Sequence, residues 1–160
     1  MDRVNRILQN KEYQLYLGKN VAAEDERIFC RHNMEHFLDV ARIAMLLNVE
    51  RNLGIDKGTL YAAALLHDIG RWKEYEDGTP HEVASARIAP KILADCGYTE
   101  EERALICKAI LSHRDASVAP EESLDGILYE ADKLSRPCHS CQAKALCKWS
   151  EEKKNLSIKY

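Results

Sequence analysis

Residues 60–71 read LYAAALLHDIGR. The run LYAAALL is the longest apolar stretch in the chain and is far too short to span a membrane. At helical spacing His67 falls on the face of Leu60, Ala63 and Ala64, with Asp68 next to it and Gly70 as a stop. Asp56 is placed to cap this helix, and Gly54 breaks the pattern before it. Taken alone, HDIGR also reads as an ordinary helix end with a solvated Asp68. The distinction matters because a buried imidazole or carboxylate without a partner costs on the order of several kcal/mol. The rest of the chain decides whether such partners exist.

The surrounding periodicity is helical almost throughout, and no segment alternates long enough to count as a strand. Residues 2–17 predict an amphipathic helix carrying Val4, Ile7, Leu8, Leu15 and Tyr16. A longer helix is expected from about Ala23 to Asn48, with Ile28, His32, His36, Val40, Ile43, Ala44 and Leu47 on one face. TPHE at 79–82 predicts a helix start, with Thr79 as N-cap, Pro80 in the first turn and Glu82 closing a capping box. That helix runs towards Gly97 with an expected kink at Pro90. TEEE at 99–102 opens another helix that ends near His113. Residues 121–135 predict a last one, with Leu124, Ile127, Leu128 and Ala131 inward. The tail EEKKNLSIKY is charged and is expected to fray.

A chain of 160 residues suits one domain with a real core. Apolar residues at 46% and charged residues at 31% are a globular balance. The net charge of −3 argues against a nucleic-acid polymer held by bulk positive charge, though not against a nucleotide in a small basic pocket. The N-terminus lacks a signal-peptide core, so a cytoplasmic protein with no membrane association is expected. The six cysteines then read as thiols or metal ligands rather than disulfides.

Five of the six histidines, His32, His36, His67, His81 and His113, lie on or at the ends of expected core helices; the sixth is His139. Asp132 follows Leu128 by one helical turn inside LDGILYEADKL. A single histidine on a helix is ordinarily a core or surface residue. The joint pattern points instead to side chains that meet around a cation. Imidazole with carboxylate suits Mn, Fe, Co, Ni or Zn better than Mg or Ca. Within HNMEH, residues 32–36, two ligands, a ligand and an acid, and two surface histidines all remain open.

The pieces EHFLDVARIA, AALLHDIGR, HEVASARIA, ILSHR and LYEADKLSR, in the order H…HD…H…H…D, resemble the HD-domain superfamily of metal-dependent phosphohydrolases. The resemblance implies an all-α, single-domain helical bundle over 1–160. Its HD core would span about 28–136, and a cysteine-containing segment 137–150 would follow. It implies His36, His67, Asp68 and Asp132 as ligands of a first metal. His81 and His113 match the extra histidines of a two-metal branch, in which Asp68 bridges. That branch includes enzymes resembling dinucleoside-polyphosphate hydrolases. The GYP motif of its cyclic-di-GMP members is absent. HNMEHFLDV also resembles the HNxxHxxDV motif of cyclic-nucleotide phosphodiesterases, which implies His32 as a catalytic acid beside the ligand His36. Those enzymes carry a histidine where this chain has Arg71.

Metal ions would withdraw phosphate charge and lower the pKa of water, and catalysis is assigned to His32 and Asp68. Arg71, Lys73, Arg114, Lys133 and Arg136 follow or flank the ligands. Of these, Arg71, Arg114, Lys133 and Arg136 are the expected substrate-binding cations. Separately, RPCHSCQAKALCKW spaces Cys138, Cys141 and Cys147 as C-x2-C-x5-C, part of a zinc or iron–sulfur pattern. The fourth ligand stays open among His139, Cys30, Cys96 and Cys107, and plain thiols are the alternative. The expected function is hydrolysis of a small phosphorylated compound, a nucleotide or dinucleoside polyphosphate, with one or two divalent transition-metal ions. A di-iron oxygenase and a non-catalytic metal or ligand sensor are the rivals. Composition leaves the oligomeric state undetermined.

Overall fold

The apolar run becomes the axis of the molecule. The computed structural model describes all 160 residues as eight α-helices, four short 3-10 turns and no strand. The helices are α1 (Asp2–Gln9), α2 (Lys11–Ala23), α3 (Met34–Glu50), α4 (Lys57–Leu66), α5 (Arg71–Asp77), α6 (His81–Asp95), α7 (Glu100–Ser112) and α8 (Leu124–Leu134). Every residue of α4 from Leu60 to Leu66 except Tyr61 is buried. A helix apolar all round has to be enclosed, and α4 touches α1, α3, α6, α7 and α8. Its three alanines let those neighbours approach. No helix is long and apolar enough to cross a membrane.

The expected face of α3 is buried from His36 through Val40, Ile43, Ala44 and Leu47, and α8 buries Leu124, Ile127, Leu128 and Ala131. Asp56 caps α4 by accepting from the Thr59 amide at 2.8 Å. The Thr99–Glu102 capping box of α7 is present in both directions.

Three expectations are corrected. The first helix breaks at Asn10, whose backbone is extended and whose side chain accepts from the amides of Glu12 and Tyr13, starting α2 afresh. The long helix expected from Ala23 begins only at Met34, because extended Asn33 caps it through the His36 amide. Ile28 is therefore 61% exposed, and His32 lies ahead of the helix rather than one turn along it. Pro80, not Thr79, precedes α6, and no side chain caps that end; Glu82 pairs with Arg114 instead. The helix continues through Pro90 to Asp95, with Ala89 and Ile92 fully buried on either side. The short helix α5 has no counterpart in the sequence reading. It ends on Gly78 at φ 78°, a left-handed position that glycine adopts without strain.

Two close approaches bring α5 and α6 to the HD pair. A Cβ on Gly70 would stand 2.5 Å from the Ser85 amide nitrogen and 2.8 Å from the Ala84 Cβ, so only glycine allows α6 so near. The Gly70 amide donates to Ser85 Oγ at 2.9 Å across that contact. Asn20, fully buried on α2, donates to the Asp68 carbonyl and accepts from the Trp72 amide, both at 2.8 Å. This single amide ties the turn that carries His67 and Asp68.

Candidate metal centre

Asp68 sits where five imidazoles converge. Its Oδ2 lies 3.2 Å from His67 Nε2, 3.7 Å from His32 Nε2 and 3.8 Å from His36 Nε2. Its Oδ1 lies 3.2 Å from His81 Nε2 and 3.4 Å from His113 Nε2. Asp132 Oδ1 lies 3.4 Å from His36 Nε2 and 3.8 Å from His67 Nε2. Two sets have ligand atoms all within 4.8 Å of one another: His36, His67, Asp68 and Asp132, and Asp68, His81 and His113. Asp68 belongs to both. The structure thus brings together residues from the α3 N-terminus, the α4 C-terminus, the α6 N-terminus, the α7 C-terminus and α8.

The other nitrogen of each ring has a local partner. His67 Nδ1 faces the Ala64 carbonyl at 2.7 Å, and His113 Nδ1 faces the Ile110 carbonyl at 2.6 Å. His32 Nδ1 meets Glu24 Oε1 at 2.5 Å, and His81 Nδ1 meets Glu74 Oε2. Ser135 Oγ gives its proton to the Asp132 carbonyl at 2.8 Å, so it accepts from His36 Nδ1 at 3.2 Å. With all five protons placed on Nδ1, all five Nε2 lone pairs point at the carboxylates. Inside this cluster His36 Nε2, His67 Nε2 and Asp68 Oδ1 are buried with no hydrogen-bond partner. Lone pairs facing carboxylates in a dry interior lack a positive charge between them. A divalent transition metal supplies one, so the residues fit the group.

The electrostatics agree. Burial works against charge on His67, but the nearby Asp68 and Asp132 outweigh it and push the imidazole up to about 10. Asp68 and Asp132 are held well below the usual carboxylate range despite burial, Asp68 chiefly by His67 and His32, Asp132 chiefly by Arg136. Burial pushes His32 and His81 below the ordinary imidazole value, against the pull of Asp68.

The expected cations separate into three groups. Arg71 borders the cluster, half-buried, and its Nη1 donates at 2.7 Å to Glu74 Oε2, the oxygen that His81 Nδ1 also meets. Lys133 Nζ lies 2.6 Å from Asp132 Oδ2 with a third of its side chain exposed. Arg136 is buried and donates to Asp132 Oδ1 at 2.6 Å, so it neutralises a carboxylate from inside instead of facing solvent. Arg114 turns away to Glu82 at 3.2 Å and is half exposed. Lys73 pairs with Glu76 and Asp77 on the surface of α5. His139 is exposed.

Sequence reasoning missed Glu24, Glu74, Asn20 and Ser135. Each is a common polar residue whose neighbours in the chain carry no motif. Glu24 alone has a weak signal, since it follows Asn20 by one helical turn. All six cysteines are free thiols. Cys96 lies in the hydrophobic core and Cys107 packs against it, far in kind from a ligand loop.

Comparison with known proteins places the chain. A family model, the HD domain, matches residues 33–136, and the chain belongs to the HD-domain family. A Clostridium beijerinckii protein described as uncharacterized is 49% identical over 160 residues, the full length of both chains. Ribonuclease Y of Clostridium botulinum strain Hall is 31% identical over 126 residues, 79% of this chain but 20% of that enzyme. The crystal structure of a predicted HD superfamily hydrolase from an uncultured Thermotogales bacterium aligns with a TM-score of 0.62 at 25% identity, covering 89% of this chain and 81% of the other.

Proposed function

We propose that this protein is a metal-dependent phosphohydrolase acting on a small phosphorylated compound, a nucleotide or dinucleoside polyphosphate. The observation that carries the reading is the convergence of five Nε2 atoms on Asp68 and Asp132 in a buried cluster edged by Arg71 and Lys133. The hydrolase description of the Thermotogales neighbour supports the class.

His36, His67, Asp68 and Asp132 would hold one ion, and Asp68, His81 and His113 a second. Bound there, such ions draw charge from phosphoryl oxygens and lower the pKa of water. The chain's own residues do the rest. Neutral imidazoles bind without cancelling the ions' charge, and the two oxygens of Asp68 serve both sets. Arg71 and Lys133 are the cations that meet substrate oxygens. Arg136 holds Asp132 in place. His32 keeps one proton against Glu24 and presents the Nε2 lone pair to the cluster, where it would take the proton released by the attacking water and hand it to the leaving oxygen.

The test is a turnover screen with anaerobically purified protein and Mn, Fe, Co, Ni, Zn or Mg. Substrates are nucleotides, dinucleoside polyphosphates, nitrophenyl phosphates and a short RNA, the last because of the ribonuclease Y match. Metal-dependent phosphate release from a small substrate, lost in Asp68→Ala, supports the reading. Oxygen consumption without hydrolysis would move the protein to the oxygenases, and metal binding without any turnover to the sensors. RNA cleavage with no small substrate turned over would overturn the substrate class.

A further inference from the structure

Residues 137–160 have no core of their own. Only Cys138 and Ala143 are buried, and the segment is a string of 3-10 turns. Yet it is shaped. The turns Cys138–Ser140 and Lys144–Leu146 each end on an extended cysteine, Cys141 and Cys147. The side-chain amide of Asn155 donates to the carbonyls of Lys133, Leu134 and Arg136 at 2.8–3.1 Å, pinning the tail beneath α8. The stretch expected to fray is anchored.

Cys30 lies far away in sequence but stands two residues before His32, whose ring packs against Asp68, as Cys138 stands two residues after Arg136, which holds Asp132. Cys30 is close to Arg136 and within electrostatic reach of Cys138 and Cys141. Lys154 is within the same reach of Cys147 and Cys138. These two cations are themselves enclosed, with 9% of the Arg136 side chain and 7% of the Lys154 side chain exposed. Arg136 spends Nη2 on Asp132, while its Nε is buried with no hydrogen-bond partner. Lys154 has one carboxylate, the exposed Glu151. Neutral thiols are only weak acceptors for these cations, whereas four thiolates on a metal centre carry net negative charge.

We propose that Cys30, Cys138, Cys141 and Cys147 form a second, four-thiolate site for an inorganic centre, an iron–sulfur cluster or a zinc ion, balanced by Arg136 and Lys154. The spacing C-x2-C-x5-C with one remote cysteine supplies the four thiolates that both centres use. No three of the sulfurs lie within the 4.8 Å that gathers the His/Asp sets. Sulfurs on a single zinc ion sit about 3.8 Å apart, so a zinc ion would have to draw the turns together. The centre would act as a staple. Cys30 lies two residues before His32, and Cys138 two residues after Arg136. Joining them closes the loop that carries His32 onto the end of α8 that carries Asp132.

The test uses the full chain purified without oxygen, with iron, sulfide, zinc and visible absorbance measured on the same sample. An Asp68→Ala background removes metal from the histidine site and leaves only the cysteine-bound centre to count. The expected result is about four iron and four sulfide per chain with a brown charge-transfer band. The Cys30→Ser variant should lose it as fully as Cys138→Ser, whereas Cys96→Ser and Cys107→Ser keep it. One zinc per chain, lost in Cys30→Ser and Cys138→Ser and kept in Cys96→Ser and Cys107→Ser, supports the four-thiolate site and identifies its metal. If the Asp68→Ala protein holds neither centre, the proposal fails, whatever the variants do. If it holds one that soluble, helical Cys30→Ser retains in full, Cys30 is not a ligand and the staple is wrong.

Discussion

Glu24 grips His32 with both carboxylate oxygens: Oε1 lies 2.5 Å from the ring Nδ1, and Oε2 accepts the His32 amide at 2.6 Å. Tyr75 donates its hydroxyl to the same Oε1 at 2.7 Å. His32 is thus aimed by a non-helical loop rather than by α3. In His32→Ala the metal should stay and kcat should fall on the order of 10²–10⁴-fold. Glu24→Gln should cost about 10–100-fold, since it misorients the ring without removing it. Nitrophenyl phosphate, whose leaving group departs unprotonated, should be nearly insensitive to both. Loss of metal in His32→Ala, as in His36→Ala, would make His32 a ligand and sink the acid role.

The same pair sets an acid limit on stability. Burial raises the Glu24 pKa, but its bonds to His32 and Tyr75 prevail and bring it from 4.5 down to about 2. A carboxyl depressed in the folded state stabilises the fold above its unfolded value and loses that contribution as pH falls through the folded value. Chemical denaturation from pH 6 to pH 2 should show wild-type stability falling between about 4.5 and 2. Glu24→Gln should show a shallower fall across that window. Parallel curves for the two proteins would contradict the assignment.

Asp68 serves both ligand sets, so its loss should differ from that of any one histidine. Metal analysis should find about two ions per wild-type chain. His81→Ala or His113→Ala should leave about one ion, and Asp68→Ala none at this site. A wild-type protein that saturates at one ion, with both histidine variants binding it normally, would leave a single-metal centre.

Two glycines should respond with opposite signs. Gly70→Ala forces a methyl into the Ser85 amide nitrogen and the Ala84 side chain, and should cost about 1–3 kcal/mol. Gly18 sits exposed within α2 with nothing within 4 Å of its missing Cβ. Gly18→Ala should stabilise by about 0.4–1 kcal/mol. Thermal unfolding of both variants measures the pair. An unchanged Gly70→Ala midpoint would mean that α6 yields at that contact.

By itself the sequence determined the helical class, most helix faces and the residue types available for metal. Periodicity and capping are local, so α4, the buried face of α3, the Thr99–Glu102 box and the inward side of α8 are legible from spacing alone. The tertiary structure decided which partners meet. Glu24 reaches His32, Glu74 reaches His81 and Ser135 reaches His36 across 8, 7 and 99 positions, through contacts that leave no periodic trace. Local rules also failed where long-range bonds prevailed. Residues 24–33 have helix-like spacing, but Asn33 caps α3 and Glu24 binds the loop, so the chain leaves the helix and turns His32 inward. Arg136 reads from the sequence as a substrate-binding cation, yet Asp132, one helical turn back and buried, draws it into the interior, because a buried carboxylate needs a positive partner and Arg136 is within reach.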